Sequence, residues 1–189
     1  FREEAANWKD FLARLITNVE NLGVLVLRSG IVKNDTHRKL SVDEFRGFVI
    51  KDELAPLVFI NGNDSRAAQI FTLIHELAHL WIGQSGISNL DLGNRQLSAS
   101  QNIERFCNRV AAEVLVPESS FQLEWHGNAR ISDNLARLIR IYRVSSLVIL
   151  RRALDLGKLT WPKYLVHYQE EKEKYQRREA RAESSGGNF

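Results

Sequence analysis

One stretch constrains this chain more than any other: an apolar run broken by three titratable residues at helical spacing. From Phe71 to Trp81 it reads Phe-Thr-Leu-Ile-His-Glu-Leu-Ala-His-Leu-Trp. Residues four apart on an α-helix stand about 40° apart around the axis and one turn along it, so His75 and His79 face the same way. Leu73, Ile74, Leu77, Ala78 and Leu80 surround them, where a surface helix would carry Lys, Glu or Gln. The segment is therefore expected to be a helix buried on most sides. Two imidazoles and a carboxylate on such a helix need partners, because unpaired polar groups inside a protein are costly. A metal ion supplies one. Zn²⁺ takes imidazole nitrogens at about 2.0–2.1 Å, and an H-E-x-x-H helix offers it both His. Glu76 then stands close enough to take a proton from a metal-bound water without being a ligand itself.

Two histidines leave zinc short, since catalytic sites carry three protein ligands and a water. No His follows His79 closely, and the next, His126, lies in a segment that reads as surface loop. Glu104 is the better candidate. It opens the helical stretch Ile-Glu-Arg-Phe-Cys-Asn-Arg-Val-Ala-Ala-Glu, which can lie beside the first helix and present one carboxylate. Glu113 competes, but it comes nine residues later and faces elsewhere unless the helix moves. Asn108, one turn past Glu104, is placed to hold a ligand by hydrogen bonding, with a purely structural role as the alternative. Cys107 lies near the site, yet no His stands at a spacing that would activate it, and it reads as a small core residue.

The 189 residues suffice for one domain with a substantial core, or a core plus an extension. At 44% hydrophobic and 26% charged, the composition is that of a soluble globular protein. The single cysteine excludes an internal disulfide and suits a reducing cytoplasm. No apolar run is long enough to span a bilayer, and Phe1-Arg2-Glu3-Glu4 is no secretory signal. A net charge of +3 does not demand nucleic acid, and the alternating acids and bases near the C-terminus read as a solvated helix. Beginning at Phe1 and lacking Met altogether, the chain reads as a piece of a longer protein.

Periodicity and turn chemistry predict a helix over 3–21 stopped by Gly23, strands within 23–32, 46–50 and 57–61, and a polar turn over 34–37. The helix with the metal pair follows over 65–81, capped by Asp64 or Ser65, and then a loop over 83–100. A second strong helix over 102–116 is closed by Pro117, with a short helix or turn over 119–125 beyond it. Ser132-Asp133 and Ser145 are read as caps of two further helices, through about 142 and 156, before a charged helix from Lys163 and a flexible tail over 184–188.

Arg46-Gly47-Phe48, Leu57-Val58-Phe59-Ile60-Asn61 and the stretch from Phe71 to His79 together resemble the ImmA/IrrE family of zinc metallopeptidases. The run from Glu104 to Pro117 is similar to that family's second motif, with Cys107 and Val110 where the family usually has Ala and Phe. The resemblance covers 46–117 well and the flanking helices more loosely. It implies an α+β fold: a minimal zincin-like core, its short β-sheet packed on the H-E-x-x-H helix, plus additional C-terminal helices. It implies His75, His79 and Glu104 as zinc ligands and Glu76 as the catalytic base. A metallopeptidase domain over 1–168 and a charged helical extension over 169–189 follow as the expected organisation. Family members are often fused to a helix-turn-helix domain or encoded beside a repressor that they cleave. The implied activity is zinc-dependent cleavage of one regulatory protein, a helix-turn-helix repressor or antitoxin. Nucleic acid would then be engaged only indirectly or through a missing domain. A zincin-fold binding module of a toxin–antitoxin or stress-response system, with little turnover, is the alternative. A purely structural zinc fits least, since such sites close with four protein ligands, usually including Cys. The group that stabilises the oxyanion stays open among His126, Tyr142 and His167.

Overall fold

The computed structural model describes residues 5–33, 35–83, 86–88 and 99–184. Asn7, in extended conformation, accepts a hydrogen bond from the Asp10 N–H at 3.0 Å and so begins helix α1 (Trp8–Glu20). The apolar period alone carries this helix back to residue 3, but the cap fixes the later start. Gly23, at φ +84°, takes the left-handed conformation that turns the chain out after it.

Five strands follow: β1 (Leu25–Ser29), β2 (Ile31–Val32), β3 (Asp35–Lys39), β4 (Gly47–Ile50) and β5 (Leu57–Asn61). The predicted polar turn over 34–37 is corrected here, because Asp35–Lys39 is a strand paired antiparallel with β2. All five of its side chains are exposed, so no apolar alternation marks it, and backbone pairing alone makes the strand. The predicted loop over 83–100 likewise holds a three-residue strand, β6 (Gly86–Ser88), paired antiparallel with β4. Residues 99–100 of that loop are instead the start of a helix (Ala99–Leu115), and 84–85 and 89–98 lie outside the described residues. The main sheet runs β1-β5-β4-β6, with β1 parallel to β5 and Ser29 opposite Asn61 at their carboxyl ends.

Strand β5 leads through one turn into α2 (Arg66–Trp81), whose first turn is capped by Ser65 Oγ accepting from the Ala68 N–H at 3.2 Å. The turn itself is held from inside. Asn61, wholly buried, donates through Nδ2 to the carbonyls of Ser41 (3.2 Å) and Phe45 (3.1 Å) and accepts from the Asn63 N–H (3.0 Å). Gln69 donates to the Gly62 and Asp64 carbonyls, and Arg46 pairs with Asp64 at 2.8 Å. Helix α2 thus leaves the sheet in a fixed direction. It packs on α1, β4 and β5, with α3 (Ala99–Leu115) against it as well. Every residue from Gln69 to His79 is buried.

These elements, with Tyr142–Val144, form one compact unit, and the second unit is helical. It contains α4 (Glu118–Glu124), α5 (Ile131–Tyr142, its last residue belonging to the first unit), α6 (Ser146–Asp155) and α7 (Trp161–Ser184). Ser132 and Asp133 lie within the first turn of α5, not at its cap, and Arg130 binds the Asp133 carboxylate at 2.9 Å. Ser145 does cap α6, accepting from the Val148 N–H. Asn134 exchanges hydrogen bonds with the His126 backbone, and Arg137 bonds both the carboxylate and the carbonyl of Glu124, fastening α4 to α5. The predicted flexible tail, apart from Ser184, lies outside the described residues. Among the described residues no helix is long and apolar enough to cross a membrane.

Asn61→Ala removes three hydrogen bonds and strips the Ser41 and Phe45 carbonyls of a donor. It is expected to lower unfolding stability by about 2–4 kcal/mol, read as a shift of the urea midpoint at constant slope. A loss below about 0.5 kcal/mol would show that other contacts hold the turn.

Candidate active site

Helix α2 brings two imidazoles and α3 one carboxylate to a single point. His75 Nε2 lies 3.1 Å from His79 Nε2 and 3.1 Å from Glu104 Oε2, and His79 Nε2 lies 3.0 Å from Glu104 Oε1. His75 and Glu76 are wholly buried, while the Glu104 side chain is 37% exposed, so the cluster meets solvent on the Glu104 side. Among the described residues this is the one group of three or more His, Cys, Asp or Glu side chains arranged to hold a metal ion.

The geometry fits such an ion. Lone pairs converging at about 3 Å are tolerable only with a proton or cation between them. A tetrahedron with metal–ligand bonds of about 2.0–2.1 Å has edges of about 3.3–3.4 Å, so these donors need move only a few tenths of an ångström. Two imidazole nitrogens and a carboxylate oxygen form a donor set that suits zinc.

The titration behaviour of the three groups is unequal. Burial disfavours the charged form of His75 and lowers its pKa, outweighing the Glu104 carboxylate beside it, so this imidazole stays in its ligating, neutral form. His79 is raised to about 10, first by hydrogen bonding to Cys107 and then by Glu104. Burial pushes Glu104 upward, but the hydrogen bonds from His75 and His79 overcome it and bring the carboxyl to about 2. Without metal, a proton on His79 therefore supplies the positive charge between the ligands.

Asn108 sits beside His75 and favours its protonated form. His75 Nδ1 and Asn108 Oδ1 are both buried with no hydrogen-bond partner among the described residues, and one is a donor and the other an acceptor once Nδ1 carries the proton. Glu113 is exposed and stands apart from the cluster. Neither His126 nor His167 joins it among the described residues, and His167 Nδ1 instead pairs with Glu170 at 2.9 Å. Tyr142 is buried. Cys107 is a buried core residue as read from sequence, but its sulfur also touches His79. That contact joins α2 to α3 across the tertiary structure, and no spacing within one helix signals it.

The IrrE N-terminal-like domain of the M78 peptidases matches residues 19–154, most of the chain, and the chain belongs to that family. No curated protein matches it.

Glu104→Ala is expected to weaken zinc binding by more than the roughly 10–100-fold typical of an outer hydrogen-bond partner. Glu113→Ala is expected to leave it unchanged, and competition titration against a chromophoric chelator checks both. Because His79 titrates near 10, it is protonated at pH 7 and must lose that proton to ligate. Zinc binding is then expected to release about one proton and to strengthen about tenfold per pH unit below 10. Calorimetry in buffers of different ionisation enthalpy measures the release, and a value near zero would contradict a protonated His79.

Proposed function

We propose that this member of the M78 peptidase family is a zinc-dependent endopeptidase acting on one regulatory protein, a helix-turn-helix repressor or antitoxin. The observation that carries the chemistry is the convergence of His75, His79 and Glu104 within about hydrogen-bond distance, one residue away from the buried Glu76. In this reading His75, His79 and Glu104 hold the metal, and Asn108 steadies His75 from behind. Zinc, when bound, lowers the pKa of a coordinated water towards about 7 and polarises the scissile carbonyl. Glu76 accepts the proton of the attacking water and returns it to the leaving amine. Its burial keeps competing water from the carboxylate and strengthens its interaction with nearby charge. The half-exposed Glu104 leaves the cluster open to a substrate on one side.

The choice of substrate rests on the family likeness, in which members are fused to helix-turn-helix domains or encoded beside repressors. A substrate of that kind supports a cytoplasmic location and only indirect contact with nucleic acid. Residues 1–168 then form the peptidase domain and 169–189 a charged extension.

The test is incubation of the zinc-loaded protein with the helix-turn-helix regulator encoded beside it, read by intact mass. Discrete fragments are expected, and Glu76→Gln should slow their appearance by about 10²–10⁴-fold. Removing the metal with a chelator should abolish them. A regulator that co-purifies uncut would instead make the protein a binding module.

A further inference from the structure

Strand β4 passes directly against the face of α2 that carries Glu76, and Gly47 is the residue at that crossing. Gly47 is buried and paired with Ile60 of β5 and with Ser88 of β6. A β-carbon there would lie 2.5 Å from Thr72 Cγ2, 2.9 Å from the Phe59 carbonyl oxygen and 3.1 Å from Glu76 Oε1. The first two separations are shorter than nonbonded atoms tolerate, and the third would oblige the carboxylate to move. Gly47 is not among the glycines with positive φ, so space and not backbone freedom calls for it. Thr72 and Glu76 stand four apart on α2 and turn the same face to the strand.

We infer that Gly47 is a positioning residue for Glu76: its missing side chain leaves the slot that fixes where the carboxylate lies beside the metal ligands. The inference rests on the proposed role of Glu76 as general base. A wholly buried carboxylate has few alternative places to go, and the β4 backbone bounds it on one side. A β-carbon at Gly47 would oblige the carboxylate to give by a few tenths of an ångström. The glycine therefore does more than admit close packing. It sets the distance between the strand and the base.

The experiment uses acetohydroxamate, a small metal chelator whose hydroxamate group also hydrogen-bonds to a carboxylate beside the metal. Zinc affinity is measured first, then acetohydroxamate affinity by calorimetry. The proteins are wild type, Gly47→Ala, Glu76→Gln, the Gly47→Ala/Glu76→Gln pair and the Gly47→Ala/Thr72→Ser pair. Thr72→Ser removes the methyl group that meets a new β-carbon most closely, and so keeps a folded alanine variant within reach. All variants are expected to bind zinc as wild type does. Gly47→Ala should weaken acetohydroxamate about tenfold, the loss of one hydrogen bond to a charged group. In the Glu76→Gln background the same change should have no further effect. Adding Thr72→Ser, which leaves the Phe59 carbonyl contact in place, should recover part of the lost thermal stability but not acetohydroxamate affinity. Equal weakening with and without Glu76, or affinity regained with Thr72→Ser, would reduce Gly47 to a packing role and overturn the inference. Failure of wild type to bind zinc would instead overturn the proposed function, and the inference with it.

Discussion

The pairing of the two α2 imidazoles with the Glu104 carboxylate joins two helices that are otherwise buried mainly through apolar residues. Ile70, Leu73, Ile74 and Leu77 bury α2 against its neighbours, and Ala111, Ala112 and Leu115 do the same for α3. Apolar contact is nondirectional and would tolerate some sliding. The polar cluster does not, because the two buried imidazoles are costly to bury without the Glu104 carboxylate. His75, His79 and Glu104 therefore set the register between the helices. The Asn61 turn and the Ser65 cap determine how α2 enters that arrangement, and Gly47, with no side chain, lets the sheet come close to it.

Two charge states satisfy the cluster. In the absence of metal, a proton on His79 faces the Glu104 carboxylate, while burial keeps His75 neutral. With a divalent cation in its place, all three groups present lone pairs. The same positions serve both states with shifts of a few tenths of an ångström, so the site is organised before a metal arrives. The half-exposed Glu104 marks the way in. In the proposed role, reorganisation on binding a metal would be small, unlike that of small domains that fold only around their metal.

Much of this was legible in the sequence, and the reasons differ by element. The metal pair shows itself because a spacing of four within an apolar helix is a local signal. Glu104 is read from a second helix that can present a carboxylate, although α3 begins at Ala99 and carries Glu104 in its second turn, not at its start. Strands β4 and β5 carry β-branched and aromatic residues, and Pro117 and Ser145 punctuate their helices as expected. Strand β3 was hidden because Asp-Thr-His-Arg-Lys offers neither face an apolar residue, and β6 because three residues give no period. The contacts of Gly47 with Glu76 and of Cys107 with His79 lie between elements. Only the folded arrangement of β4, α2 and α3 creates them, so no local pattern reports either one.

X-ray absorption at the zinc edge of the loaded protein tests the central claim most directly, because it reads the ligands themselves. The arrangement predicts nitrogen and oxygen neighbours at about 2.0–2.1 Å, multiple-scattering features of two imidazoles, and no sulfur shell. A sulfur at about 2.3 Å would mean that Cys107 and not Glu104 completes the site, and a pattern of one imidazole would break the pairing of His75 with His79 on which the account depends.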